Sequence, residues 1–378
     1  MEKLFSLIFI LLYTSALFCQ EEMITIKFEV TTPLIDAKDT VFIAGNFENI
    51  GGWQPNLVPL EKQNDSLWTL EKKFPKGAAV EYKFTRGSWN TEAASKDGMI
   101  PGNNRIKAFL NSTVKHNITA WKDQFRTVNI GQITGTVEYL NNLTYKNLLP
   151  RNIIVWLPPN YNRDKGSSYP VLYMHDGQNV IDPATSSFGI DWQADETADS
   201  LILNGIIDPI IIVGINNTSN RAAEYSNNDT GRTYMEFIVK KLKPMIDSIY
   251  RTKTGREYTA TCGSSMGGLI SFMILWEYND VFTKAISMSP AYKIWQYDYV
   301  TKVINDKKKR NIKLYIDNGG VGLETMLQPG ITEMISALEK KGYAEEEEFI
   351  FVKANDAEHN EAAWAKRLPD ALRFIFGK

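Results

Sequence analysis

The chain has 378 residues, with 42 basic against 44 acidic side chains for a net charge of −2, and is 43% hydrophobic and 12% aromatic. That composition is globular and the length is enough for two domains. It leaves no cationic footprint for nucleic acid, and the opposed runs Lys307–Arg310 and Glu345–Glu348 read as solvated turns or helix ends.

The first twenty residues place Lys3 before an apolar run, Leu4–Leu12, followed by Thr14, Ser15 and Ala16. This is the pattern of a secretory signal peptide cleaved near Cys19 or Gln20, too short for a membrane span, and it predicts an exported protein, periplasmic or secreted. Acylation of Cys19 as a lipoprotein is the weaker reading, because bulky Phe18 precedes it. After cleavage Cys262 is the sole remaining cysteine. An intrachain disulfide is then impossible, and stability rests on the cores.

Residues 21–123 carry strand signals: Ile24–Val30, Asp39–Ala44, Ser66–Glu71 and Val80–Thr85 alternate apolar and polar residues between Gly, Pro, Asn and Asp clusters. The spacing predicts an all-β, immunoglobulin-like sandwich. Its marks are Val41-Phe-Ile-Ala-Gly-Asn46, Ile50-Gly-Gly-Trp-Gln-Pro55, Leu67-Trp68, Val80-Glu-Tyr-Lys-Phe84, Arg86-Gly-Ser-Trp-Asn-Thr-Glu92 and Asn104-Arg105. On these the segment resembles a family 20 starch-binding module. The resemblance implies a sugar site formed by Trp53, Lys83 and Trp89, where indole faces cover glucose rings and a lysine donates to hydroxyls. Trp68 is expected in the core.

From residue 124 to 378 the pattern changes. Gly135–Leu140 and Arg151–Pro159 read as an antiparallel pair, after which apolar strands (170–174, 209–214, 283–289, 312–316, 349–352) alternate with helical stretches such as Tyr234–Tyr250. Continuous Val/Ile/Leu strands joined by helices predict a mostly parallel sheet covered on both faces, an α/β fold. The central stretch is Tyr258-Thr-Ala-Thr-Cys-Gly-Ser-Ser-Met-Gly-Gly-Leu269. Gly263, Ser265 and Gly267 satisfy G-x-S-x-G, in which a strand turning at once into a helix exposes a strained serine. Ser265 is therefore the candidate nucleophile, and the N–H of Met266 the first candidate oxyanion donor.

A serine nucleophile needs a base, and of the three histidines, His116, His175 and His359, only His359 follows Ser265 in the chain. Two carboxylates compete to orient it from the loop after strand 312–316: Asp317 at the strand end, and Glu324 beyond three glycines. Trp192, Arg221 and Tyr225 fall on loops after strands and are candidates to line the acyl or alcohol pocket. An ion pair with Glu224 is the alternative role for Arg221. The histidines show no HxH or HExxH pairing, so neither a metal centre nor a cofactor is expected, although Asp176 by itself could pass for a ligand.

Val171-Leu-Tyr-Met-His-Asp-Gly-Gln-Asn179, Asn220-Arg221 with Glu224-Tyr225, Gly263–Leu269, Ser287-Met-Ser-Pro290, Tyr315-Ile-Asp-Asn-Gly-Gly320 with Glu324, and Glu358-His-Asn-Glu-Ala-Ala-Trp364 fall in one order. On them the domain resembles the α/β-hydrolase esterases that include enterochelin, feruloyl and acetylxylan esterases and esterase D. The resemblance implies a serine carboxylic-ester hydrolase. It selects Glu324 as the triad acid, while the Gly-Gly-Val-Gly insertion keeps Asp317 in play. It also makes the N–H of Gln178 the second oxyanion donor and gives His175 a packing role beneath the site. The expected partner is an acyl ester, on a polysaccharide if the first domain binds sugar. Alternatives are a siderophore trilactone esterase and a non-catalytic glycan-binding protein on a hydrolase scaffold.

Overall fold

The computed structural model describes residues 22–36, 38–96, 98–124 and 131–378, so the signal-peptide reading lies outside the described residues. Two units partition the chain, Met1–Phe125 and Arg126–Lys378. Among the described residues no helix is long and apolar enough to cross a membrane.

Strict alternation builds the first unit. In Met23–Thr31 the side chains of Ile24, Ile26, Phe28 and Val30 are buried and those between them are not, because successive residues of a strand face opposite sides. That strand pairs antiparallel with Leu67–Pro75 and parallel with Ser112–Asn117, and Glu61–Lys62 completes a four-stranded sheet. A second four-stranded sheet runs Val58–Pro59, Phe42–Gly45, Ala79–Thr85, Asn104–Lys107, antiparallel throughout. Inward residues of both sheets share one core with Trp68 and Trp121, which gives Trp68 the buried place expected of it.

The second unit is organised on one eight-stranded sheet. Its strands are β1 (Thr136–Tyr145), β2 (Leu148–Leu157), β3 (Val171–His175), β4 (Ile211–Ile215), β5 (Thr259–Ser264), β6 (Lys284–Met288), β7 (Lys313–Gly319) and β8 (Phe349–Ala354). The order is β1-β2-β4-β3-β5-β6-β7-β8. β2 pairs antiparallel with both β1 and β4, and every later pair is parallel. The C-terminal ends of β3 to β8 therefore lie along one edge, where open parallel sheets place their ligands.

Both faces are covered, as parallel sheets require. One core takes Val171, Tyr173, Ile211 and Val213 with helix α2 (Met266–Glu277) and the inner residues of α3 (Leu323–Lys340). The other takes Leu172, Met174, Ala260 and Cys262 with α4 (Glu361–Phe376) and α1 (Ala194–Leu203). Every residue from Gly267 to Trp276 is buried, so α2 is apolar all round and sits fully inside. The helix read as Tyr234–Tyr250 starts earlier, at Asp229, where the Asn228 side chain caps the Gly231 N–H at 2.9 Å. It widens over Ile238–Leu242 and ends at Ile249.

One buried carboxyl ties the start of β1 to the Ala194–Leu203 helix. Asp195 accepts the Thr134 N–H at 2.6 Å. Burial, together with a hydrogen bond to the Glu196 carboxyl, pushes Asp195 up to about 8. It is then protonated in the folded protein and ionised in the unfolded chain, so the stability it lends is lost as pH rises toward its folded value. Asp195→Asn should gain in thermal midpoint relative to the parent between about pH 5 and about pH 8, as calorimetry at both values would show.

Candidate active site

The turn after β5 sets Ser265 at φ 58° and ψ −122°, a backbone conformation that non-glycine residues rarely occupy. Three hydrogen bonds hold it there. Ser265 N–H donates to Met288 O at 2.9 Å, and its carbonyl accepts from Leu269 and Ala291 at 3.1 and 3.0 Å. The glycines are steric necessities. A Cβ on Gly263 would stand 2.6 Å from the Gly267 backbone, and one on Gly268 would press Met288 O and Pro290 at about 3.1 Å. Ser265 keeps partial exposure at the sheet edge while α2 starts at Met266, whose N–H has no carbonyl one turn earlier in its helix.

The segment after β3 packs against this turn. Asp176 takes φ 57°, and a Cβ on Gly177 would strike the Gly214–Ile215 backbone at 2.5 Å, so only glycine lets the chain pass. Gln178 follows in a short 3-10 turn, its Oε1 accepting the Asn217 N–H at 3.1 Å. A Cβ on Gly267 would lie 3.4 Å from Asp176 Oδ2, which puts the Asp-Gly-Gln segment beside the first turn of α2.

The two competing carboxylates separate cleanly by environment. Glu324 lies in the first turn of α3 rather than on a free loop, and its Oε1 stands 3.3 Å from His359 Nδ1. Gly320 and Val321 bring this about by donating their N–H groups to Ala357 O at 3.1 and 3.2 Å, which joins the two loops. Asp317 instead makes a two-pronged pair with Arg367 of α4, Nε to Oδ2 at 2.9 Å and Nη2 to Oδ1 at 3.2 Å. It takes no part in the contact with His359. Burial raises the Asp317 carboxyl, and Arg367 offsets only part of that rise. Burial also pushes Glu324 up, but His359, the Ser289 hydroxyl and Arg367 outweigh it and leave its carboxyl below the usual range. The ionised form is thus the favoured one at Glu324, as a helix N-terminus also prefers.

His175 is buried, between Tyr234 Oη at 2.9 Å and Thr261 Oγ1 at 3.2 Å. Burial holds it down to about 3, so it stays neutral, in keeping with a packing role beneath the site.

Two expected pocket residues, Trp192 and Tyr225, need correction, as does the alternative pairing of Arg221 with Glu224. Trp192 is buried against Trp364, ring centroids 5.6 Å apart, and Tyr225 is buried with its hydroxyl accepting the Asp176 N–H at 3.2 Å. Neither offers a surface to a substrate in this structure. Arg221 is partly exposed, but it pairs with Asp176 through two contacts of 2.7 Å and not with Glu224. The short helix Arg221–Glu224 turns Arg221 back toward β3 and Glu224 inward, where Glu224 meets Arg151 of β2 at 2.7 Å. The acidic run pairs in part, with Glu348 meeting Lys309 at 3.0 Å.

Sequence reasoning also missed Ser289, Trp364 and Arg367. Ser289 Oγ lies 2.7 Å from Glu324 Oε1 and 3.1 Å from both Trp364 Nε1 and Arg367 Nη2, and the Trp364 ring stands edge-on to His359 at 4.9 Å. A signal was present. Trp364, Arg367, Leu368 and Ala371 share one helical face, so Arg367 is a charge on an apolar stripe. Among the described residues one acidic group, Asp191, Asp195 and Glu196, has oxygens within 4.8 Å of one another. It lies at the Ala194–Leu203 helix and includes none of Ser265, Glu324 or His359.

In the first unit, Trp53 (φ 64°) hangs by its N–H from Gly45 O at 2.8 Å, and Lys83 pairs with Ala44 in the neighbouring strand. Trp89 opens a 3-10 turn just past that strand. Both indoles are partly exposed. Lys83 Nζ shares the buried Glu92 with Lys122, at 2.9 and 3.5 Å.

The family model described as "Putative esterase" matches residues 149–375. The chain belongs to this esterase family. A model described as a starch binding domain matches residues 23–116, ahead of the esterase domain. Among curated relatives, the uncharacterised protein YbbA of Bacillus subtilis is 23% identical over 60% of this chain and 93% of its own length. An endo-1,4-beta-xylanase/feruloyl esterase of Xylanibacter ruminicola is 25% identical over 68% of this chain and 34% of its own. An alpha-amylase of Niallia circulans is 32% identical over 26% of this chain and 8% of its own, so the chain spans a small part of these last two. A solved ferulic acid esterase superposes with TM-score 0.53 at 22% identity, over 64% of this chain and 98% of its own. The enterobactin esterase of Shigella flexneri does so with TM-score 0.53 at 12% identity, over 94% of each chain. Both likenesses describe the fold, not the substrate.

The separation of the carboxylates has a consequence for stability. Asp317→Ala leaves a buried guanidinium without its partner, and chemical denaturation should show a loss of about 3–5 kcal/mol, the usual cost of breaking one side of a buried pair.

Proposed function

We propose that the protein is an exported serine esterase that removes acyl groups from a carbohydrate, with Ser265 as nucleophile, His359 as base and Glu324 as the acid that orients it. The observation that carries this reading is the 3.3 Å approach of His359 Nδ1 to the buried Glu324 carboxylate, at the sheet edge that also holds the strained Ser265 turn. Such contacts are commonly long in a free enzyme and tighten around the substrate.

In this reaction Ser265 Oγ attacks the ester carbonyl and its proton passes to His359 Nε2. The N–H groups of Met266 and Gln178 hold the oxyanion, and the alcohol leaves with the proton. Water then attacks the acyl-enzyme by the same route, releasing the acid and restoring Ser265. The immunoglobulin-like first unit, with Trp53, Lys83 and Trp89, binds glucan and raises local substrate concentration. Support comes from the starch binding domain match and from the xylanase/feruloyl esterase relative. Export rests on the signal-like segment before Gln20, which N-terminal sequencing of the mature protein would check.

Opening of a siderophore trilactone is a second reading, favoured by the coverage of both units by the enterobactin esterase. It calls for a free cation at the pocket, whereas Arg221 is already paired with Asp176.

Hydrolysis of p-nitrophenyl acetate and of methyl ferulate should fall on the order of a thousandfold in kcat in Ser265→Ala, His359→Ala and Glu324→Ala. Equal rates in the parent and Ser265→Ala would sink the mechanism, and turnover of enterobactin alone would move the protein to the trilactone reading. Soluble starch should bind the full chain, and Trp53→Ala or Trp89→Ala should weaken it about tenfold, the worth of one aromatic face. Isothermal titration showing no heat with any glucan would remove the carbohydrate half.

A further inference from the structure

Ser289 is held in the left-handed region, φ 43°, directly after β6. Its N–H donates to Asp317 twice, to the carbonyl at 3.0 Å and to Oδ1 at 3.1 Å. Its hydroxyl meets three groups: Trp364 Nε1 at 3.1 Å, Arg367 Nη2 at 3.1 Å and Glu324 Oε1 at 2.7 Å. Indole and guanidinium nitrogens only donate, so they occupy the acceptor lone pairs of Oγ. The single hydroxyl proton then has one place to go, Glu324 Oε1. Chain chemistry, not rotamer choice, fixes its direction.

We infer that Ser289 is a positioning residue for the esterase, delivering a proton-donating hydrogen bond that aims the Glu324 carboxylate at His359, with Trp364 and Arg367 holding the hydroxyl in that orientation. The inference rests on Glu324 being the triad acid. The oxygen that Ser289 grips is the one 3.3 Å from His359 Nδ1, while the other, Oε2, is buried without a hydrogen-bond partner. Among the contacts described, Ser289 is therefore what fixes the carboxylate's rotation. Asp317 enters as the anchor: it binds both the Ser289 backbone and Arg367, so its charge is spent on holding the donor rather than on His359. Trp364 joins the relay to the base, with its ring against His359 and its N–H on Ser289.

The test compares kcat and KM for p-nitrophenyl acetate in the parent, Ser289→Gly and Ser289→Ala, with Ser265→Ala as the blank. Thermal midpoints and the 1H–15N indole resonance of Trp364 are recorded alongside. Glycine suits φ 43° and removes the hydroxyl together with its Cβ, while alanine removes the hydroxyl alone, so the two variants separate the lost hydrogen bond from backbone strain. The kcat of Ser289→Gly should fall about 10- to 100-fold, the worth of one hydrogen bond to a charged group, with KM within about twofold and the midpoint kept. The Trp364 indole resonance should move in Ser289→Gly and, through Ser289, in Glu324→Gln. Unchanged kcat in Ser289→Gly, or a loss matched by unfolding, would overturn the assignment. If instead Ser265→Ala or Glu324→Gln matches the parent in rate, the triad reading itself has failed. The indole resonance then still decides whether the relay exists: a shift in Glu324→Gln keeps Ser289 on Glu324, and none removes it.

Discussion

Arg367 stands almost fully buried between two carboxylates, Asp317 near the end of β7 and Glu324 in the first turn of α3, which repel each other. Burying either charge alone would cost several kcal/mol, and burying both without a cation would drive one to protonate. The guanidinium resolves this unequally. Its fork closes on Asp317 at 2.9 and 3.2 Å, while Glu324 feels it only through the Ser289 hydroxyl and across space. Two acids of similar sequence standing thereby acquire different work: one is consumed in an ion pair, and the other is left ionised with His359 as its nearest titratable partner.

The same guanidinium explains why α4 follows the histidine so closely. Arg367 lies eight positions after His359, and the Asn360 side chain caps the helix between them through the Ala363 N–H at 3.0 Å. Trp364 and Arg367, three apart, emerge on one face, and that face is the one packed on the sheet. The helix thus supplies an edge-on ring against His359 and a charge against Asp317 from a single rigid element. A loop histidine is held between the Trp364 ring and the Glu324 carboxylate.

Much of this was legible. The strained serine turn, the strand order of chemistry along the chain and the division into a β-rich unit and a sheet covered on both faces follow from glycine spacing and hydrophobic period, which are local properties. What escaped was the partner of each charge. Arg221 has Glu224 three residues away, the natural pairing on a helix surface, yet it reaches Asp176, 45 residues earlier, because parallel strands bring β3 and β4 side by side. Glu224 finds Arg151 by the same sheet adjacency, 73 residues back. Trp192 and Tyr225 were misplaced for a related reason: loops after strands line sites in general, but an aromatic there is as readily folded under the loop as presented by it. Choosing between Asp317 and Glu324 required Arg367, a residue whose inward placement shows in the helical pattern but whose target does not.

The cost of the Ser265 backbone has to be met by its surroundings. A non-glycine residue in that region costs on the order of 1–3 kcal/mol and persists only where the structure over-determines it. Here the over-determination is visible: the Ser265 N–H and carbonyl are tied to Met288, Leu269 and Ala291, Gly263 removes a Cβ that would collide with the Gly267 backbone, and Gly268 removes one that would press Met288 O and Pro290. Met288 is the residue before Ser289, so the strand end that pins the Ser265 backbone also carries the hydroxyl that grips Glu324. Strain at the serine and orientation of the carboxylate are two uses of one fixed point, the end of β6, and a change that loosens it would be felt at both.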